Sequence, residues 1–242
     1  MATLRERLAD GVPLVAVSFG DDDAEGDAAR VRDLGVDVAE LRVDWYSSFD
    51  PAHVVDRVRA FRGVPTLATV RSKTEGGYWP GDEAERLRLY EALLPEVDAV
   101  DVELSATEVL PGVVAAARAQ GKLVVVSHHD FVATPSPERL AEIVDGARAA
   151  GADLVKISTM AHGPDDVRTL SALLLRYNSI RMIVIGMGGE GAASRVFFPL
   201  LGSRITYSAI GGHPAPGQLP FAETVALLER FSPAFATRRA AS

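Results

Sequence analysis

Lys156 lies in Leu154-Val155-Lys156-Ile157-Ser158, a run that otherwise reads as a buried β-strand. An amine at such a position costs several kcal/mol unless it is paired or held neutral. The neutral amine is the form that attacks a carbonyl to make a Schiff base. The preceding strand-like run, Lys122 to Ser127, ends in His128-His129-Asp130-Phe131. A histidine at that tip would supply a proton donor and acceptor beside the amine. A lysine nucleophile with a histidine on the neighbouring strand points to imine chemistry.

These side chains need a scaffold that brings strand ends together. Short β-branched runs alternate with helix-like runs along the whole chain. Strands are expected near Leu14–Phe19, Val36–Val43, Thr66–Arg71, Ala99–Leu104, Leu123–His128, Leu154–Ser158, Met182–Met187 and Ile205–Ala209. Amphipathic stretches such as Glu83–Leu94, Pro137–Ala150, Asp165–Tyr177 and Pro220–Arg230 lie between and after them. Eight strand–helix units at a repeat of about 25–30 residues predict an α/β fold, a (β/α)8 TIM barrel in a single domain. An open doubly wound sheet is the alternative, because periodicity does not specify strand order. The expected domain covers residues 1–235, with 236–242 as a short, disordered C-terminal tail.

Composition fits this scaffold. The chain has 242 residues, 48% hydrophobic and 24% charged, enough for one large core. A net charge of −8 with both signs mixed argues against nucleic acid as a partner. With no cysteine there is no disulfide and no thiolate metal site, which fits a cytoplasmic protein. No secretory cleavage signal accompanies the run Val12 to Phe19, and no stretch approaches the roughly 18–20 apolar residues of a membrane span.

Strand parity then exposes a site. Glu40, Arg42 and Asp44 share one face of the second strand, opposite Ala39, Leu41 and Val43; Asp101 and Glu103 oppose Val100, Val102 and Leu104 in the fourth. The apolar face must pack under helices, so the charged face is expected to point into the barrel. Arg71, His129 and Lys156 also stand near C-terminal strand ends, where barrel active sites form. A structural ion-pair network would account for one such residue. Contributions from five strands favour a functional site.

The motifs come in a recognisable order: Glu40-Leu-Arg42-Val-Asp44, Thr69-Val-Arg71-Ser-Lys-Thr-Glu75-Gly76-Gly77, Ser127-His-His129-Asp130-Phe131, Ala152-Asp-Leu-Val-Lys156, Gly186-Met187-Gly-Gly-Glu-Gly191-Ala-Ala-Ser194-Arg195 and Ala215-Pro216-Gly217-Gln218. Together they resemble the type I 3-dehydroquinate dehydratase family, from about Ser18 to Gln218. The resemblance implies a lyase of the shikimate and quinate pathways that dehydrates 3-dehydroquinate to 3-dehydroshikimate by syn elimination, with no metal or cofactor. It places the imine-forming lysine at Lys156, the general acid/base at His129 and the carboxylate orienting that histidine at Glu75. It matches Glu40, Arg42 and Arg71 to contacts with substrate hydroxyls, Arg195 and Gln218 to a carboxylate-binding pair, and Ser18 and Met187 to the pocket lining. It also implies a homodimer. Two positions depart from the pattern. Pro214, four before Gln218, stands where the family often has a serine, so Gly211-Gly212-His213-Pro214 looks like an altered closing loop. His128 stands where a tyrosine is common.

Several motifs invite other readings. Adjacent His128 and His129 point to opposite sides of a strand, which argues against a joint metal site; parity leaves open which faces inward, and only the resemblance selects His129. His53, His162 and His213 read as surface or loop histidines. Gly186-Met-Gly188-Gly-Glu-Gly191 satisfies G-x-G-x-x-G, but a dinucleotide site needs an acidic residue about 20 positions on. None occurs from Ala192 to Ala222, so the glycines read as a flexible, closely packed strand end. Asp21-Asp22-Asp23 reads as a solvated loop and helix start. Gly211-Gly212 could form a phosphate-binding turn, favouring a class I Schiff-base aldolase on a phosphorylated sugar. A barrel that binds a carboxylate ligand without chemistry is the remaining alternative.

Overall fold

The computed structural model describes residues 3–211 and 215–241. Helix α1 (Leu4–Ala9) opens it, capped reciprocally by Thr3 and Glu6. Strand–helix units follow: β1 (Leu14–Phe19) with α2 (Ala24–Leu34), β2 (Val38–Arg42) with α3 (Pro51–Arg59), β3 (Thr66–Thr69) with α4 (Glu83–Leu93), and β4 (Ala99–Glu103) with α5 (Leu110–Ala119). Then come β5 (Leu123–Asp130) with α6 (Pro137–Ala150), β6 (Leu154–Met160) with α7 (Pro164–Arg176), β7 (Met182–Met187) with α8 (Ser194–Leu200), and β8 (Ile205–Ser208) with α9 (Phe221–Phe231) and α10 (Pro233–Ala240). Helix α6 shows the punctuation: Ser136 caps its start, Pro137 follows, and Gly151 at φ +103° ends it.

The strands form one eight-stranded sheet in the order β7-β6-β5-β4-β3-β2-β1-β8, and all seven neighbour pairings are parallel. Near the remaining gap, the Arg204 N–H donates to Met182 O at 2.8 Å and the Val184 N–H to Ser203 Oγ at 3.0 Å. The sheet is therefore a nearly closed (β/α)8 barrel, not an open doubly wound sheet. Among the described residues no helix is long and apolar enough to cross a membrane.

Alternation divides the apolar residues in two. Val15, Val17, Ala39, Leu41, Val100, Val102, Val124 and Val126 join the helices in the larger outer core. Leu14, Ala16, Val38, Leu67, Ala99, Leu123, Leu154 and Ile183 fill the barrel interior, with Leu4 and Leu8 of α1 packed against them. One or two pleats further along the same inner faces, the side chains become Ser18, Glu40, Thr69, Asp101, Ser127 and Lys156. The apolar lower layers thus support a polar upper one at the C-terminal strand ends.

Three expectations need correcting. Residues Val43–Trp45 form a 3-10 turn, so Asp44 has left the strand and its parity. Strand β5 runs to Asp130, two residues past the expected end at His128, placing His129 inside it as well. The segment expected as a disordered tail is helical to Ala240: Arg238 donates to Pro13 O at 2.6 Å and Arg239 to the carbonyls of Leu34 and Gly35.

Candidate active site

Register places Ser127 beside Lys156 and His129 beside Ser158, so lysine and histidine belong to successive pleats of one inner surface. Lys156 is 5% exposed, and its Nζ lies 3.0 Å from Asp101 Oδ2, 3.4 Å from Glu40 Oε1 and 3.2 Å from Tyr207 Oη. Burial alone would lower its pKa, but Asp101, Tyr207 and Glu40 outweigh burial and raise it. The lysine is accommodated by pairing, and the resting amine carries its proton.

Its carboxylate partners are held independently. Asp101 accepts from Arg71 Nη2 at 2.7 Å and Ser127 Oγ at 2.6 Å. Glu40 accepts from Ser18 Oγ and from Thr69 Oγ1 at 3.1 Å. Burial opposes the charge on both; Arg71 and Lys156 hold Asp101 well below the usual carboxylate range, and Lys156 and Arg42 keep Glu40 lowered. Arg71 also reaches Glu103 Oε1 at 3.2 Å, while the fully buried Arg86 of α4 binds the other Glu103 oxygen and Val70 O.

His129 is aligned from β3. After β3, Lys73–Glu75 forms a 3-10 turn, and Glu75 Oε2 meets the His129 backbone N at 2.9 Å and Nδ1 at 3.0 Å. Ser105 Oγ donates to the other Glu75 oxygen at 2.5 Å. Burial, then Arg71 and Lys156, push the His129 pKa well below its ordinary value. The imidazole is neutral, with Nδ1–H on the carboxylate and Nε2 bearing the lone pair. His128 occupies the opposite parity; it is half-buried, and burial lowers its pKa too.

A stability consequence follows for His129. Below pH 6.5 the unfolded chain protonates this histidine while the folded chain resists, so the unfolded state binds more protons and is favoured. Stability should therefore fall from pH 7.5 to pH 5.5 with a limiting slope of about 1.4 kcal/mol per pH unit for a fully linked histidine. Urea unfolding across that range measures it, and His129→Gln should reduce the slope to the remaining contribution of His128. Stability that is constant or rises on acidification would refute the assignment.

Arg195, the second residue of α8, is 3% exposed. Its Nη2 donates to Pro216 O at 3.3 Å, its Nε has no hydrogen-bond partner, and no carboxylate pairs with it among the described residues. Burial pushes its pKa down to about 10. Gln218 lies in the same returning segment; its Oε1 accepts from Ala215 N at 2.8 Å, and its amide NH2 makes no hydrogen bond among the described residues. Arg42 is clamped by Asp44 at 2.9 and 2.8 Å and stacks 4.2 Å from the Trp45 ring centroid. Met187 is buried on the inner side at the end of β7.

The structure therefore brings Lys156, Glu40, Arg71 and Ser18 into one contact network with Asp101, and ties Glu75 to His129. No hydrogen bond joins Arg195 to Gln218 among the described residues; Arg195 reaches Pro216 O and Gln218 reaches Ala215 N. Gly212, His213 and Pro214 lie outside the described residues, as do the readings placed on them. His53 is no bland surface residue, because its Nε2 lies 2.8 Å from Asp21 Oδ2; Asp21 is correspondingly buried, not solvated, and also accepts from Ser47. His162 Nε2 lies 2.6 Å from Val132 O. The glycine motif is closely packed: a Cβ on Gly191 would fall 2.4 Å from the Gly186 carbonyl. No metal-ligand cluster occurs among the described residues. The sequence reading gave no role to Ser127, Thr69, Ser105 or Tyr207, although parity from Ile205 would have turned Tyr207 inward.

Known proteins match along this whole framework. The profile of the family described as Type I 3-dehydroquinase matches residues 11–232. A 3-dehydroquinate dehydratase from Methanosarcina acetivorans is 38% identical over 211 residues, covering 83% of this chain and 87% of the relative. The structure of a 3-dehydroquinate dehydratase from Geobacillus kaustophilus superposes with a TM-score of 0.85 at 32% identity, covering 90% of this chain and 91% of that one. One from Aquifex aeolicus gives a TM-score of 0.83 at 31% identity, covering 90% and 99%.

Proposed function

Since this chain belongs to the type I 3-dehydroquinase family and is a hydro-lyase, we propose that it dehydrates 3-dehydroquinate to 3-dehydroshikimate through an imine on Lys156. The observation that carries the mechanism is the buried Lys156 amine, held within the barrel by Asp101, Glu40 and Tyr207.

Lys156 loses its proton as it condenses with the ring ketone, and the resulting iminium acidifies the adjacent C–H. His129, neutral and aligned by Glu75, removes that proton through Nε2. The enamine expels the neighbouring hydroxyl as His129 returns the proton to it, which makes the elimination syn. Water then cleaves the imine. The iminium is the electron sink, so the residues present account for the reaction without a cofactor. Glu40, Arg42 and Arg71 are assigned to the substrate hydroxyls, and Ser18 and Met187 to the pocket wall.

Arg195 and the Gln218 amide are assigned to the substrate carboxylate. A forked guanidinium suits a planar carboxylate better than an ammonium does. Arg195→Ala should raise KM by about 10- to 100-fold with a smaller change in kcat, the range expected for a lost charged hydrogen bond. Steady-state kinetics checks this; an unchanged KM would move the carboxylate elsewhere. The activity itself is tested by incubating the chain with 3-dehydroquinate and following the absorbance of the conjugated enone. Its appearance supports the reading, and tight binding without it would favour a non-catalytic barrel.

A further inference from the structure

Tyr207 has no role in the mechanism above. It lies on the inner face of β8 and is 5% exposed. Its Oη is 3.2 Å from Lys156 Nζ and 3.3 Å from Glu40 Oε1, and Nζ sits 4.5 Å from the ring centroid. An ammonium donates to all three of its partners here, so Tyr207 accepts from nitrogen and spends its own hydrogen on Glu40. Of the three, Asp101 and Glu40 are charged acceptors already held by other donors. Tyr207 is the neutral partner, and the one with a hydrogen to give.

Imine formation needs such a group. From ammonium and ketone to iminium and water, nitrogen gives up two hydrogens and the ketone oxygen gains both. The C=O bond breaks, C=N forms, and no outside proton, oxidant or reductant enters. Once the amine is neutral, its two hydrogens stay on the two carboxylates. Its lone pair then lies on the Tyr207 side, where the ketone must meet it.

We propose that Tyr207 is a catalytic residue for imine formation and hydrolysis, its hydroxyl accepting a hydrogen from Lys156 Nζ while giving its own to the ketone oxygen. The phenol ends each exchange unchanged. The second hydrogen leaves nitrogen for Glu40 Oε1, which passes it to the phenol as the phenol gives its own to the same ketone-derived oxygen, and that oxygen leaves as water; product release runs the sequence in reverse. This rests on the imine reading of Lys156.

The test compares wild type, Tyr207→Phe and His129→Ala, each mixed with 3-dehydroquinate, quenched with borohydride at set times and assayed for the Lys156 adduct by mass spectrometry. Phenylalanine keeps the ring and removes the hydroxyl. Tyr207→Phe should form adduct at least about tenfold more slowly, reach the wild-type plateau, and lose kcat with little change in KM. The trapped fraction of His129→Ala, blocked after imine formation, should instead rise during turnover. An adduct rate within about twofold of wild type overturns the proposal. So does a lowered plateau with weakened binding of quinate, a ring carboxylate without the ketone, because that pattern marks a structural role. Absence of adduct in wild type would defeat the imine reading itself, and is distinguishable from either result.

Discussion

Lys156→Ala should lose turnover by at least about 10⁴-fold while remaining folded. The nucleophile is gone, and no other lysine contacts Asp101 or Glu40 among the described residues. The fold should survive because neither carboxylate is stranded. Asp101 keeps Arg71 at 2.7 Å and Ser127 at 2.6 Å; Glu40 keeps Ser18, Thr69 and Tyr207. Removing one member of a buried pair costs most when the other charge is left without partners. Lys156→Arg sharpens the experiment. It preserves the positive charge beside both carboxylates but offers a group that stays protonated and forms no imine. Both variants should be inactive by enone absorbance with native-like circular dichroism. Activity within about tenfold of wild type in either would remove Lys156 as the nucleophile.

The second large effect is expected at His129. Alanine there should reduce kcat by about 10²–10⁴-fold, the range for losing a placed general acid/base. The imine should still form, because none of the hydrogen bonds to Lys156 Nζ comes from His129. The variant should therefore accumulate a trapped intermediate that the wild type passes through quickly. Glu75→Gln should have a smaller effect, since Glu75 acts on the ring through Nδ1 and on the backbone N of His129. If His129→Ala turned over normally, the acid/base would have to be His128. Its opposite parity in β5 weighs against that.

Strand number, the inward charges of β2 and β4, and Lys156 were readable because each depends on period-two alternation within a few residues. What alternation cannot carry is the end of a strand. Asp44 was assigned to a strand face because the 3-10 turn at Val43–Trp45 leaves no alternation signal, and that turn is what lets Arg42 close on Asp44 two residues away. Long-range partners were equally hidden. The His53–Asp21 contact spans 32 positions, and Arg238 anchors the C-terminal helix to Pro13 across 225. Tyr207 illustrates the same limit at the site. Its inward direction could be counted from Ile205, but its meeting with Lys156 exists only because the barrel brings β8 back beside β1. The choice between His128 and His129 needed the family resemblance, since two adjacent histidines give parity nothing to prefer. Glu75 explains the choice physically by binding both the backbone and ring of His129.

The most direct test of the account is to mix the protein with 3-dehydroquinate, reduce with borohydride, and locate the modification by intact-mass and peptide mass spectrometry. The account predicts one adduct per chain, on Lys156, with activity lost in proportion to its formation. A folded, active protein that yields no adduct, or one modified at a different lysine while Lys156 stays free, would contradict it.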